Sequence, residues 1–163
     1  MNFRATVVAA TITLCHLACD CPALAQPGLS GYMVGGFGST ADVDDGLNGY
    51  AGGGAEIVSR FGLGAGMDAG VFVDHSGVAL MLLSVDGVLQ LRRSSEGAIP
   101  FLAAGFTGAT TPEASFTAWN FGAGVTVVRG PHTAWRVEFR EHLRSERWGT
   151  PQYWVLRAGI AFR

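Results

Sequence analysis

The chain has 163 residues, a formal net charge of −2, 48% hydrophobic residues and only 15% charged ones, none of them lysine. Ordinary soluble domains carry about 25% charged residues, and a nucleic-acid binder would show a basic stripe that this balance excludes. The 24 glycines, spread through nearly every segment, argue against long amphipathic helices.

Residues 1–25 read as a cleavable secretory signal peptide. Arg4 supplies a positive start, "ATVVAATITLCHLA" (5–18) an apolar run, and "ALA" (23–25) a small-residue cleavage site before Gln26. The run is too short for a spanning helix, which takes ~20 residues. A lipoprotein signal at Cys19 would want leucine at the position of His16. Cys15, Cys19 and Cys21 all fall in this segment. Residues 26–163, expected to form one domain, therefore have no disulfide frame and no cysteine-based metal site.

Eight strands are predicted after Gln26: 29–38, 48–58, 62–73, 78–91, 98–109, 116–128, 134–144 and 152–162. Turn-like pieces rich in Gly, Pro, Ser and Asp separate them. A tilted spanning strand needs ~9–11 residues, and an even strand number is the bacterial pattern. No later stretch of ~18 apolar residues offers a helical span.

The segment "AWRVEFREHLR" (134–144) alternates Trp135, Val137 and Phe139 with Arg136, Glu138, Arg140 and His142. Trp135, Phe139 and Leu143 also fit a helix over 135–147, with Glu138 and His142 one turn apart. Strand-like neighbours and the better period-two count favour a strand. Other segments repeat the alternation. Trp119, Phe121, Ala123 and Val125 alternate with Asn120, Gly122 and Gly124; Leu83 and Val85 alternate with Ser84 and Asp86.

The second faces hold mostly Gly, Ser, Thr, Asn and a few charges. That is a poor water-facing surface but a good interior for an eight-stranded barrel, whose lumen only side chains can fill. Charges enclosed there must pair. Glu56, Asp68, Asp86 and Glu138 set against Arg136, Arg140 and Arg157 predict a lumen ion-pair network rather than an open pore. Trp119, Trp135, Tyr153 and Trp154, near strand ends, are the expected interfacial aromatics.

Taken in order, "GYMVGGFG", "GYAGGGAEI", "RFGLGAGMDAGV", "IPFLAAGFTGA", "NFGAGVTV", "WRVEFREH" and "VLRAGIAFR" give a chain that resembles the small OmpA/OmpX-like outer-membrane barrels over nearly all of 29–163. The resemblance implies export, insertion by the barrel-assembly machinery and both termini in the periplasm. It also implies a C-terminal insertion signal, to which Arg157, Gly159 and Phe162 correspond; the chain stops at Arg163, where the signal's final aromatic would follow.

Other chemistry has little support. "DVDDG" (42–46) has glycine where a calcium loop needs its third ligand. The glycines of "GLGAGMDAG" miss the dinucleotide spacing. His75, His132 and His142 share no metal-ligand spacing. Barrels that hydrolyse lipid acyl chains place His, Ser and an acid on the outer surface. Here His142, Ser145 and Glu141 or Glu146 lie at the right end, but H-x-x-S puts the two groups on opposite faces of a strand.

The expectation is an all-β, eight-stranded, antiparallel up-and-down transmembrane β-barrel in the cell outer membrane. It is expected to be monomeric and non-enzymatic, without metal or cofactor, touching membrane lipid and no nucleic acid, with a structural or envelope role. One alternative is a soluble periplasmic or secreted barrel binding an apolar ligand, with Trp135, Val137 and Phe139 turned inward. The other is the outer-membrane lipid hydrolase.

Overall fold

The structure, a computed structural model, describes residues 28–40, 47–73, 79–91, 97–112, 114–144 and 151–162. The expected signal peptide, the acidic stretch 42–46, His75, Ser145, Glu146 and Arg163 lie outside them. The strands are β1 (Gly28–Thr40), β2 (Asn48–Val58), β3 (Leu63–Val73), β4 (Ala79–Gln90), β5 (Gly97–Thr110), β6 (Ser115–Val128), β7 (Thr133–Arg144) and β8 (Pro151–Phe162). Each pairs antiparallel with its chain neighbour, and β1 closes on β8 in a barrel. Closure leaves no strand edge without a partner, the condition for a sheet in lipid.

One end of the barrel carries the short turns β2–β3 and β6–β7, the β4–β5 connection and both strand termini; we call it the turn end. The other is the loop end. In the β2–β3 turn, the Ser59 N–H donates to the Leu63 carbonyl at 2.8 Å. Gly62 adopts φ 83° there, a left-handed conformation that glycine takes without steric cost. The helical reading of 135–147 is overturned, because β7 is extended through Arg144 and its ladder on β6 pairs Val137 with Val125.

Alternation fixes the facing. Leu29, Met33, Ile57, Leu63, Met67, Met81, Val85 and Phe106 are exposed on the outer wall. Trp135 and Val137 join them at 54% and 48% exposure. This overturns the soluble ligand-binding alternative, which needs those side chains inside. Interior glycines give large side chains room to lie down. A Cβ at Gly124 would stand 2.6 Å from Phe101 Cζ, and one at Gly52 would stand 2.6 Å from the Tyr50 hydroxyl.

Candidate functional site

The strand β7 faces the interior with Arg136, Glu138, Arg140 and His142, all at most 2% exposed. β2 brings Glu56, β3 Asp68, β4 Asp86 and β8 Arg157 to the same space, so the seven charged residues singled out from the sequence meet in one buried cluster. Their even or odd parity within each strand turns them inward, away from the apolar wall.

Glu138 is the hub. Its carboxylate pairs with Arg136 at 3.2 Å, Arg140 at 2.6 Å and Arg157 at 3.0 Å. Arg140 Nη1 also donates to Asp68 at 2.9 Å and Asp86 at 2.6 Å. Arg157 Nη2 reaches Asp68 at 3.1 Å, and its Nη1 donates to the Tyr50 hydroxyl at 3.0 Å. Arg136 Nη1 pairs with Glu56 at 3.0 Å. The Arg136 guanidinium also lies 4.4 Å from the Tyr32 ring centroid and 4.0 Å from that of Phe101. Rings over a desolvated guanidinium add cation–π attraction to the ion pairs.

A neutral relay adjoins the cluster. Asn120 Nδ2 donates to Asp86 at 2.8 Å and to Thr107 Oγ1 at 3.0 Å. Thr107 Oγ1 lies 2.8 Å from Ser84 Oγ and 3.1 Å from His142 Nδ1. The Tyr32 hydroxyl donates to Asp68 at 3.2 Å. Taking ions out of water costs several kcal/mol each unless such partners replace it.

Apolar side chains bracket the charges. Toward the loop end, Tyr50, Phe72, Leu82, Tyr153 and Val155 belong to one buried cluster. Toward the turn end, Val58, Val88, Ile99 and Phe101 are buried. The reading of the inner face as small and polar does not include Tyr50, Phe72 or Phe101. Parity alone could have found them: Phe72 shares its face with Asp68, and Tyr50 with Glu56.

The expected interfacial aromatics divide. Trp135 is outside near the turn end. Trp119 and Trp154 are on the outer wall near the loop end, with Trp119 3.7 Å from the Phe106 ring centroid and Trp154 6.0 Å from that of Phe139. Tyr153 is a correction. It shares the parity of Arg157, is 1% exposed, and stacks inside on His142 with ring centroids 4.1 Å apart. Of the expected insertion-signal residues, Phe162 faces outward at 46% exposure, while Gly159 and Arg157 face inward.

The hydrolase geometry fails as well. His142 turns into the barrel against Thr107 and Tyr153 instead of onto the outer surface, and Glu141 takes the opposite face. Among the described residues no group of three or more His, Cys, Asp or Glu could hold a metal ion.

This fold is that of the eight-stranded outer-membrane β-barrels. The N-terminal barrel domain of Pseudomonas aeruginosa OprF is similar, with a TM-score of 0.66 and 16% identity over 84% of this chain and 98% of that one. Neisserial surface protein A is similar with a TM-score of 0.63 and 11% identity over 82% and 94%. The Yersinia pestis outer-membrane protein Ail gives a TM-score of 0.51 and 14% identity over 84% and 100%. No protein-family model matches the sequence, and no curated protein matches it.

Proposed function

We propose that the chain is a small integral protein of the outer membrane, exported by residues 1–25, with its interior sealed by side chains. Its role is structural or envelope-related rather than enzymatic. One observation carries this reading: an apolar wall encloses a cluster of seven buried charges, the reverse of a water-soluble protein. The buried side chains on both sides of the Glu138 hub, Tyr50, Phe72 and Tyr153 on one and Ile99 and Phe101 on the other, support reading the interior as a plug that holds ions back. Trp119 and Trp154 mark one lipid boundary and Trp135 the other, as aromatic girdles do. The barrel-assembly machinery inserts it, with Phe162 as the outward aromatic of its last strand, and it stands as a monomer surrounded by lipid.

The test is fractionation of cells expressing the full chain, followed by gel mobility with and without boiling. Outer-membrane recovery with a faster unboiled band is expected. A soluble periplasmic product without a heat shift would overturn the reading. Planar-bilayer recording tests the plug: a steady, large conductance from the folded barrel would refute it.

A further inference from the structure

The two ends of the barrel differ in how the apolar wall stops and in charge. At the turn end the wall runs flush to the last residues: Leu29, Ile57 and Leu63 are exposed, and so is Phe61 within the β2–β3 turn itself. Arg60 is exposed in that turn, its guanidinium 4.8 Å from the Phe61 ring centroid. Arg129 is exposed in the β6–β7 turn, where its N–H donates to the Thr133 carbonyl at 3.1 Å, and Trp135 faces outward just beyond. By sequence the β4–β5 connection adds Arg92 and Arg93 against Glu96.

At the loop end the outer wall turns polar before the strands finish, at Thr110, Ser115, Thr117 and Glu141. By sequence the connections there hold Asp42, Asp44, Asp45, Asp74, Glu113 and Glu146, against Arg147. The turn end therefore carries exposed arginines flush with the apolar wall, whereas the outer wall at the loop end is polar and the sequence of its connections is mostly acidic.

We propose that the turn end selects anionic phospholipid headgroups, with Arg60 and Arg129 as the phosphate contacts. This rests on the reading that the barrel sits in a bilayer. An arginine stem can lie along an exposed ring at the hydrocarbon edge while its head reaches the headgroup layer. A guanidinium there meets phosphate as a two-pronged donor. Phe61 and Trp135 set the depth; Arg60 and Arg129 set the lipid charge.

The test uses the full chain purified from membranes and reconstituted in vesicles of phosphatidylglycerol and phosphatidylcholine. A variant keeping only Trp135, with Trp119, Trp148 and Trp154 changed to Phe, reports on the turn end. Brominated phosphatidylglycerol should quench Trp135 more than brominated phosphatidylcholine at the same mole fraction. The expected enrichment is about five-fold per arginine at low salt. R60Q/R129Q should abolish the excess, and so should molar salt. Equal quenching by the two lipids, or an excess that persists in R60Q/R129Q, would overturn the proposal while leaving the membrane reading intact. No quenching by either lipid would overturn both. Should the Phe replacements prevent folding, total tryptophan quenching of the unmodified chain against R60Q/R129Q reads the same difference.

Discussion

Arg140 clasps Glu138 from two residues away on the same strand, with Nε at 2.8 Å and Nη2 at 2.6 Å from one carboxylate oxygen. Side chains at i and i+2 share a strand face, so this contact forms within β7 alone. The same guanidinium then reaches across the interior to Asp68 on β3 and Asp86 on β4. One side chain thus couples a local pair to two distant strands.

Glu138→Gln should be the most damaging conservative change in the cluster. It keeps the shape but leaves three buried guanidiniums short of a counter-charge. Breaking a buried ion pair by removing one partner costs ~3–5 kcal/mol. Urea unfolding of the reconstituted barrel, followed by tryptophan emission, should show a loss of that size.

Glu56→Gln should cost less, ~1–3 kcal/mol. Among the described residues Glu56 pairs with one arginine, Arg136, and takes a long 3.5 Å contact from Ser30. Arg136 retains Glu138 and its two rings. The same urea titration ranks the two variants, and a larger loss for Glu56→Gln would deny Glu138 its place as hub.

Gly124→Ala and Gly35→Ala should move stability in opposite directions. A Cβ at Gly124 meets Phe101 Cζ at 2.6 Å and the Val137 carbonyl. Overpacking of that kind costs ~1–3 kcal/mol. Gly35 faces outward, and its added Cβ meets only the Tyr50 carbonyl at 3.8 Å. Restricting the unfolded chain there should stabilise by ~0.4–1 kcal/mol. Unfolding midpoints of the two variants check the sign.

Val85→Arg should block or destabilise insertion, while Val85→Leu should not. Val85 is 61% exposed near the middle of β4. Arginine on the lipid face near the midplane costs ~2–4 kcal/mol. The fraction of heat-modifiable protein after vesicle folding measures it, and an unaffected Val85→Arg would mean that this wall does not face lipid.

The strands were legible because one physical rule governed them. The wall of a closed barrel with an apolar outside and a narrow interior alternates strictly, and each predicted strand lies within two residues of the observed bounds. The charged interior residues followed from the same parity. Tyr153 shows where two signals conflict: an aromatic near a strand end points to an interfacial position, while its odd position beside Val155 and Arg157 turns it inward. Tyr50, Phe72 and Phe101 are hard to see in the sequence for a related reason. An interior that is apolar at both ends does not contrast with an apolar wall. Which acid meets which arginine depends on register between distant strands, and no local pattern carries that.

The alternation of β7 also works as an error check on assembly. A slip of one residue against its neighbours would expel Arg136, Glu138 and Arg140 onto the apolar outer wall and pull Trp135, Val137 and Phe139 inside. A slip of two would preserve every facing, so hydrophobicity alone could not detect it. It would still carry each guanidinium ~7 Å along the strand, away from Glu56, Asp68 and Asp86. The wall therefore rejects odd errors and the ion pairs reject even ones, so the misaligned barrels most similar to the correct one are the ones left holding charge without a partner.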